Sequence, residues 1–202
     1  MSAALAGLGF AVLFPTADAQ AQSGAGQSAV VLNYQRFGEA EYARTSVATA
    51  QFETHIKLLT SGRYNVTSAA DIVSSLFAGE LLPNRTVAIT IDDAYRSAYV
   101  AAWPRLRAAG LPVTLFVSTD PVDQGLPGYM SWDQIREMRD AGATIGAHTA
   151  SHSHMVNRSP EENRADMEHS LARFSSGDRF TIWEWLAVWA PIVAPASRIS
   201  RI

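Results

Sequence analysis

The run Val87-Ala88-Ile89-Thr90-Ile91 is mostly apolar and β-branched, and it lacks the polar alternation of a strand with one wet face. As a strand it needs cover on both sides, which is the situation of strands in a parallel sheet flanked by helices. Two adjacent carboxylates, Asp92 and Asp93, follow it at once. The rest of the chain supplies the parts such a sheet needs. Residues 29–34, 64–66, 113–117 and 144–147 read as further strands. Helical patterns occupy 48–59, 68–78, 94–109 and 131–141, and another helix opens at Ser159-Pro160-Glu161-Glu162 with Ser as N-cap and Pro at the first helical position. Ser68 with Asp71, and Ser131 with Gln134, have capping-box spacing. Strand–helix alternation of this kind predicts an α/β fold, and in a parallel α/β barrel the functional residues fall at the C-terminal ends of the strands.

A second polar group appears at the end of another short apolar run: His148-Thr149-Ala150-Ser151-His152, with His154 two residues on. Three of the five histidines thus fall within seven residues. Where a chain leaves a strand, a turn brings neighbouring side chains to one cleft, and imidazole with carboxylate is a donor set for a divalent cation such as zinc. Two structural roles compete. Asp93 is also suited to capping a helix that starts at Ala94, and a histidine is often a satisfied polar residue. His55 and His169 lie on helical patterns and read as surface or packing residues.

Composition narrows the partners. Lys and Arg number 16 against 19 Asp and Glu, with no basic stripe, which argues against a nucleic-acid partner. There is no cysteine, so disulfides, thiolate metal sites and Cys nucleophiles are excluded. Residues 3–14 are apolar and uncharged, and Ala17-Asp18-Ala19 and Ala19-Gln20-Ala21 offer small-residue cleavage sites. Residues 1–21 therefore read as a signal peptide too short to span a bilayer, implying a secreted or periplasmic protein. The leader lacks a basic start, since no Lys or Arg precedes Arg36. From Phe174 the alternation stops: three of the five tryptophans, Trp183, Trp185 and Trp189, crowd into seven residues, and 174–202 reads as an atypical tail, in keeping with a shifted reading frame.

Thr90-Ile91-Asp92-Asp93-Ala94 resembles the T-F-D-D-G motif of the NodB-homology polysaccharide deacetylases, and His148-Thr149-Ala150-Ser151-His152 matches their H-[S/T]-x-x-H motif. Val30-Val31-Leu32-Asn33-Tyr34-Gln35-Arg36-Phe37 and Gly128-Tyr129-Met130-Ser131-Trp132-Asp133-Gln134 are similar to further family text, so the resemblance covers residues 29–173. It implies a distorted (β/α) barrel that removes N-acetyl groups from amino-sugar glycans. It also implies that Asp93, His148 and His152 bind the metal and that Asp92 is the general base; the donor types suit zinc, cobalt or nickel, and His154, from its position two residues on, reads as a third ligand or a group that supports the ligands.

The chain departs from the family pattern in places. Ala94 stands for the usual Gly and would be strained at positive φ, and Gln35 stands where relatives often carry His. The R-x-P-[YF] segment and the L-x-x-H segment with its acid histidine have no counterpart, and no His follows His169. The expectation is a barrel incomplete at its C-terminus. It is either a metal-dependent deacetylase or an inactive remnant that keeps a glycan- or metal-binding module. Which glycan is bound, and the oligomeric state, are not written in the sequence.

Overall fold

The computed structural model describes residues 28–175. The expectations for the leader at 1–21, and for the tail beyond residue 175, lie outside these residues. Among the described residues, seven strands and six α-helices follow one another. They are β1 (Ala29–Tyr34), β2 (Arg36–Phe37), β3 (Ser46–Val47), α1 (Thr49–Leu59), β4 (Asn65–Val66), α2 (Ala69–Ala78), β5 (Thr86–Asp92), α3 (Trp103–Ala108), β6 (Thr114–Val117), α4 (Thr119–Asp123), α5 (Trp132–Asp140), β7 (Thr144–Ala147) and α6 (Pro160–Ser175). The main sheet is parallel throughout, in the order β1-β5-β6-β7. β5 is its spine. β1 pairs with it from Thr86 to Ile91, while β4 takes the opposite edge at Thr86–Val87 and β6 the same edge from Thr90 to Asp92. This is the parallel α/β architecture read from the sequence.

Burial explains why β5 reads as a continuous apolar run. Its first six residues are all buried. Val87, Ile89 and Ile91 join the main core with Leu106, Leu115, Ile135 and Met138. Ala88, one residue out of phase, faces the other way onto Ile72 of α2 and Leu82. The period of two distributes one strand between two helical layers. β1 is an edge strand among the described residues, and its Val30 and Val31 are more than half exposed. No helix among the described residues is long and apolar enough to cross a membrane.

The helix starts obey their caps. Ser68 and Ser131 each close a two-way capping box, with Asp71 and Gln134. Ser159 does the same with Glu162, whose backbone N–H donates to the serine hydroxyl at 3.2 Å while its carboxylate accepts from the serine N–H at 2.8 Å. α6 runs on through Phe174, the first residue of the expected tail. The Phe174 ring is 2% exposed and packs edge-on against Trp132, with centroids 5.6 Å apart.

One helix starts later than its periodicity predicts. Asp93 and Ala94 form a turn and Tyr95 a β-bridge rather than the first turn of a helix over 94–109, because Asp93 and Ala94 sit at φ 72° and 58°. Past Ser97 the backbone forms a π-turn, Ala98–Ala102, in which Trp103 N–H reaches back five residues to the Ala98 carbonyl. Pro104 follows directly. Its ring would crowd the carbonyl four residues back in a regular helix, and the wider turn relieves that clash.

These contacts rank two substitutions. Leu115→Ala empties a fully buried position on β6 and should cost about 2–5 kcal/mol, whereas Ser131→Ala removes one cap and should cost about 1 kcal/mol. Urea midpoints at unchanged m-value would order them this way, and equal midpoints would contradict this account of the core.

Candidate metal centre

The two motifs meet at the C-terminal edge of the sheet. β5 ends at Asp92, and β7 ends one residue before His148, whose N–H donates to the Val117 carbonyl at the end of β6. One ligand atom each from Asp93, His148 and His152 lies within 4.8 Å of the others. Asp93 Oδ1 is 3.4 Å from His148 Nε2 and 3.0 Å from His152 Nε2. Neither approach has hydrogen-bond geometry, so both carboxylate oxygens of this 1%-exposed residue lack a hydrogen-bond partner.

A buried carboxylate without donors is costly unless something positive satisfies it. Donors bound at about 2.0–2.2 Å to a tetrahedral ion lie roughly 3.3–3.6 Å apart, close to the two spacings seen. The three side chains therefore fit a divalent cation. Burial pushes the Asp93 carboxyl above its ordinary value of 3.8 and the neighbouring Asp92 adds to this, while His152, His148 and Arg36 pull the other way. Asp93 caps no helix, so the structural role left open by the sequence is not the one it plays. His154 is exposed at the start of the 3-10 turn Met155–Asn157 and is not among the donors around Asp93. His55 accepts or donates one bond with the Tyr34 hydroxyl at 2.9 Å, and His169 is exposed on α6.

Backbone strain concentrates here. Five described non-glycine residues have positive φ, and four of them, Asp93, Ala94, Thr149 and His152, belong to the two motifs. Such conformations cost on the order of 1–3 kcal/mol each and persist where the surroundings over-determine them. The surroundings are visible. Residues 128–130 strap the carboxylate turn: Arg96 N–H donates to the Gly128 carbonyl at 2.7 Å, Met130 N–H donates to the Ala94 carbonyl at 2.9 Å, and Tyr95 and Tyr129 form an antiparallel bridge. The Tyr95 and Tyr129 rings lie 4.8 Å apart. The Arg36 guanidinium covers Tyr95 at 3.4 Å and Tyr42 at 3.9 Å, so a layered stack seals one side of the turn. Burial, and then Tyr95, push the Tyr129 hydroxyl well above its ordinary value, so it stays protonated beside Asp93.

The histidine turn is pinned from α6. Asp166 accepts from Ala150 N–H at 3.0 Å and from Ser151 N–H at 3.1 Å, with Arg158 beside it. Burial alone would raise the Asp166 carboxyl, but the bonds from Ser151 and Ala150 and the Arg158 charge outweigh it and hold it below its ordinary value. Asp92 is held differently: Asn33 Nδ2 donates to its Oδ2 at 2.8 Å and to Thr90 Oγ1 at 3.1 Å. Sequence reasoning missed Asn33, Asp166 and the Arg36 stack as supports. The one local signal was a carboxamide, Asn33, near the C-terminal end of an otherwise largely apolar strand.

Two outcomes are expected. In chelator-treated protein the raised Asp93 carboxyl contributes stability below its unfolded pKa that is lost as pH rises through its folded pKa. Asp93→Asn should therefore flatten the upper limb of the stability–pH curve. The lowered Asp166 carboxyl contributes stability above its unfolded pKa that is lost as pH falls through its folded pKa, so Asp166→Asn should flatten the acid limb. Thermal melts across pH read both, and unchanged limbs would refute the assignment. At Ala94, substitution by Gly relieves about 1–2 kcal/mol of left-handed strain but loses a buried methyl worth about 0.8 kcal/mol and adds chain entropy of about 0.5–1 kcal/mol. It should be near neutral in Tm, whereas Ala94→Val should cost about 2–4 kcal/mol.

Known proteins resemble this arrangement. The family profile described as Polysaccharide deacetylase matches residues 80–184, which includes both motifs. The chain is 26% identical over 130 residues to the polysaccharide deacetylase homologue YxkH of Bacillus subtilis, covering 64% of this chain and 46% of that protein, so it spans about half the length of that curated relative. Among solved structures, the Streptococcus pyogenes deacetylase PplD superposes with a TM-score of 0.65 at 23% identity, covering 72% of this chain and 66% of that one. IcaB from Ammonifex degensii superposes with a TM-score of 0.65 at 25% identity, covering 74% and 69%. The sheet is thus that of the NodB-type distorted barrel, and the chain belongs to the polysaccharide deacetylase family.

Proposed function

We propose that this protein is a divalent-metal-dependent hydrolase that removes N-acetyl groups from amino-sugar glycans. The observation that carries the reading is the buried Asp93 carboxylate, without hydrogen bonds and facing two imidazole nitrogens. Asp93, His148 and His152 are the ligands in this reading, with zinc preferred and cobalt or nickel acceptable to the same donors. Lewis acidity toward an amide carbonyl and toward water is the chemistry that a cation supplies at such a site.

The chain's own residues divide the remaining work. Asp92 is the general base, the one carboxylate at the site not committed to the ligand cluster, and it is half-buried with one side open. Asn33 fixes its orientation by donating to Oδ2, which leaves Oδ1 to receive a proton. The Tyr129 hydroxyl and the Arg36 stack close the Tyr95 side of the turn and keep Asp93 out of water. Export to the periplasm or exterior belongs to the same proposal and is supported by the leader-like pattern of residues 1–21. Cell fractionation with mass spectrometry of the N-terminus tests it, and a chain retained in the cytoplasm with residues 1–21 uncleaved would count against it.

The decisive experiment compares metal content and acetate release from N-acetylglucosamine oligomers on the same purified samples. The unaltered chain should carry about one metal and release acetate. His148→Ala/His152→Ala should lose both. Asp92→Asn should keep the metal and lose roughly 10²–10⁴-fold in rate, and Asn33→Ala should lower kcat with metal retained. Metal without acetate release would mark a binding module that does not turn over. A folded chain that takes up no metal would overturn the ligand assignment.

A further inference from the structure

Beside Asp92, between the end of β1 and the start of α1, lies a recess of about 370 Å³. We propose that it is a sugar subsite selective for glycans that carry a carboxylate on the unit next to the N-acetyl group being hydrolysed. The inference deepens the deacetylase reading and rests on it only for the direction of the chain through the site.

Three observations lead there. The first is position. Asn33 both lines the recess and donates to Asp92 at 2.8 Å, so a molecule in the recess is one side chain away from the proposed base. The second is lining. Gln35, Arg44 and Gln51 line the recess with Asn33 and Ser46, and none of the first three side chains has a hydrogen-bond or ionic partner among the described residues. Carboxamides both donate and accept, as hydroxyl and acetamido groups of a sugar require. The size falls at the lower end of ligand pockets, about 300–1,000 Å³.

The third observation is charge. Of the two arginines nearest in the chain, only Arg44 lines the recess. Arg36 is held by Glu39 at 2.6 Å and buried between rings, whereas Arg44 is exposed at the recess with no acidic partner among the described residues. A guanidinium offers only donors, in a fork that matches a carboxylate. An amine-bearing, already deacetylated neighbour would place an ammonium against Arg44 and be disfavoured. The recess therefore accepts an anionic sugar, tolerates a neutral one and rejects a cationic one.

The test uses the full chain. Dissociation constants are measured by NMR titration on chelator-treated protein, and acetate release on metal-loaded protein. The ligands are a neutral N-acetylglucosamine tetramer and a tetramer alternating N-acetylglucosamine with N-acetylmuramic acid. The carboxylate-bearing tetramer should bind about three- to fivefold more tightly, as befits an exposed charge pair. Arg44→Gln should erase that preference while leaving the neutral tetramer unchanged, and Arg107→Gln, remote from the recess, should preserve it. Equal binding of the two tetramers, binding of neither, or a preference that survives Arg44→Gln overturns the subsite. A preference that depends on Arg44 without any acetate release supports the subsite and overturns the deacetylase reading. Acetate release without the preference does the reverse.

Discussion

Asp93 is a carboxylate taken out of water with no donor on either oxygen, and much of the structure around the sheet edge answers to that one uncompensated group. Its backbone is left-handed, which turns the chain off β5 and swings the side chain toward the histidine turn. The strap at 128–130 and the Arg36–Tyr95–Tyr129 stack hold that unfavourable turn in place. An arrangement that raises a carboxylate's free energy in the folded state stores affinity for a cation, because the ion relieves both the desolvation and the missing bonds.

Asp92 and Asp93 are neighbours in sequence with opposite environments. Asp92 ends the strand, half-buried, with one oxygen engaged by a neutral amide. Asp93 is sealed among rings and imidazoles. The change of backbone region between them separates the two side chains, so adjacent residues of identical chemistry can take different roles. A glycine at Ala94 would make the turn easier to form, but the chain keeps a buried methyl there that packs into the main core.

The sheet and its helices were legible because they depend on local patterns. Continuous apolar runs mark strands covered on both faces, and Ser68, Ser131 and Ser159 mark helix starts through partners three residues away. The clustering of Asp93, His148 and His152 was legible because each of the two motifs begins where a strand ends. What sequence reasoning missed is long-range. The helix expected from 94 fails because a strap some thirty-five residues later dictates the turn, and apolar periodicity carries no sign of φ. Asn33 acts on a residue fifty-nine positions away, and Asp166 on a turn fifteen or sixteen positions back, without a motif to announce either. The five-residue α4 is too short to show a period.

The anchoring of the histidine turn by Asp166 has a consequence for the order of assembly. A chain made on the ribosome emerges from its N-terminus, and seventy-three positions separate Asp93 from Asp166. At about 5–20 residues per second, that interval is roughly 4–15 s. Throughout it the carboxylates exist without the turn that faces them, and then with a turn whose Ala150 and Ser151 amides have no acceptor. The Asp93–His148–His152 cluster is thus a late product of synthesis, its histidine turn anchored only once the last helix of the described residues has emerged behind the strands of the sheet.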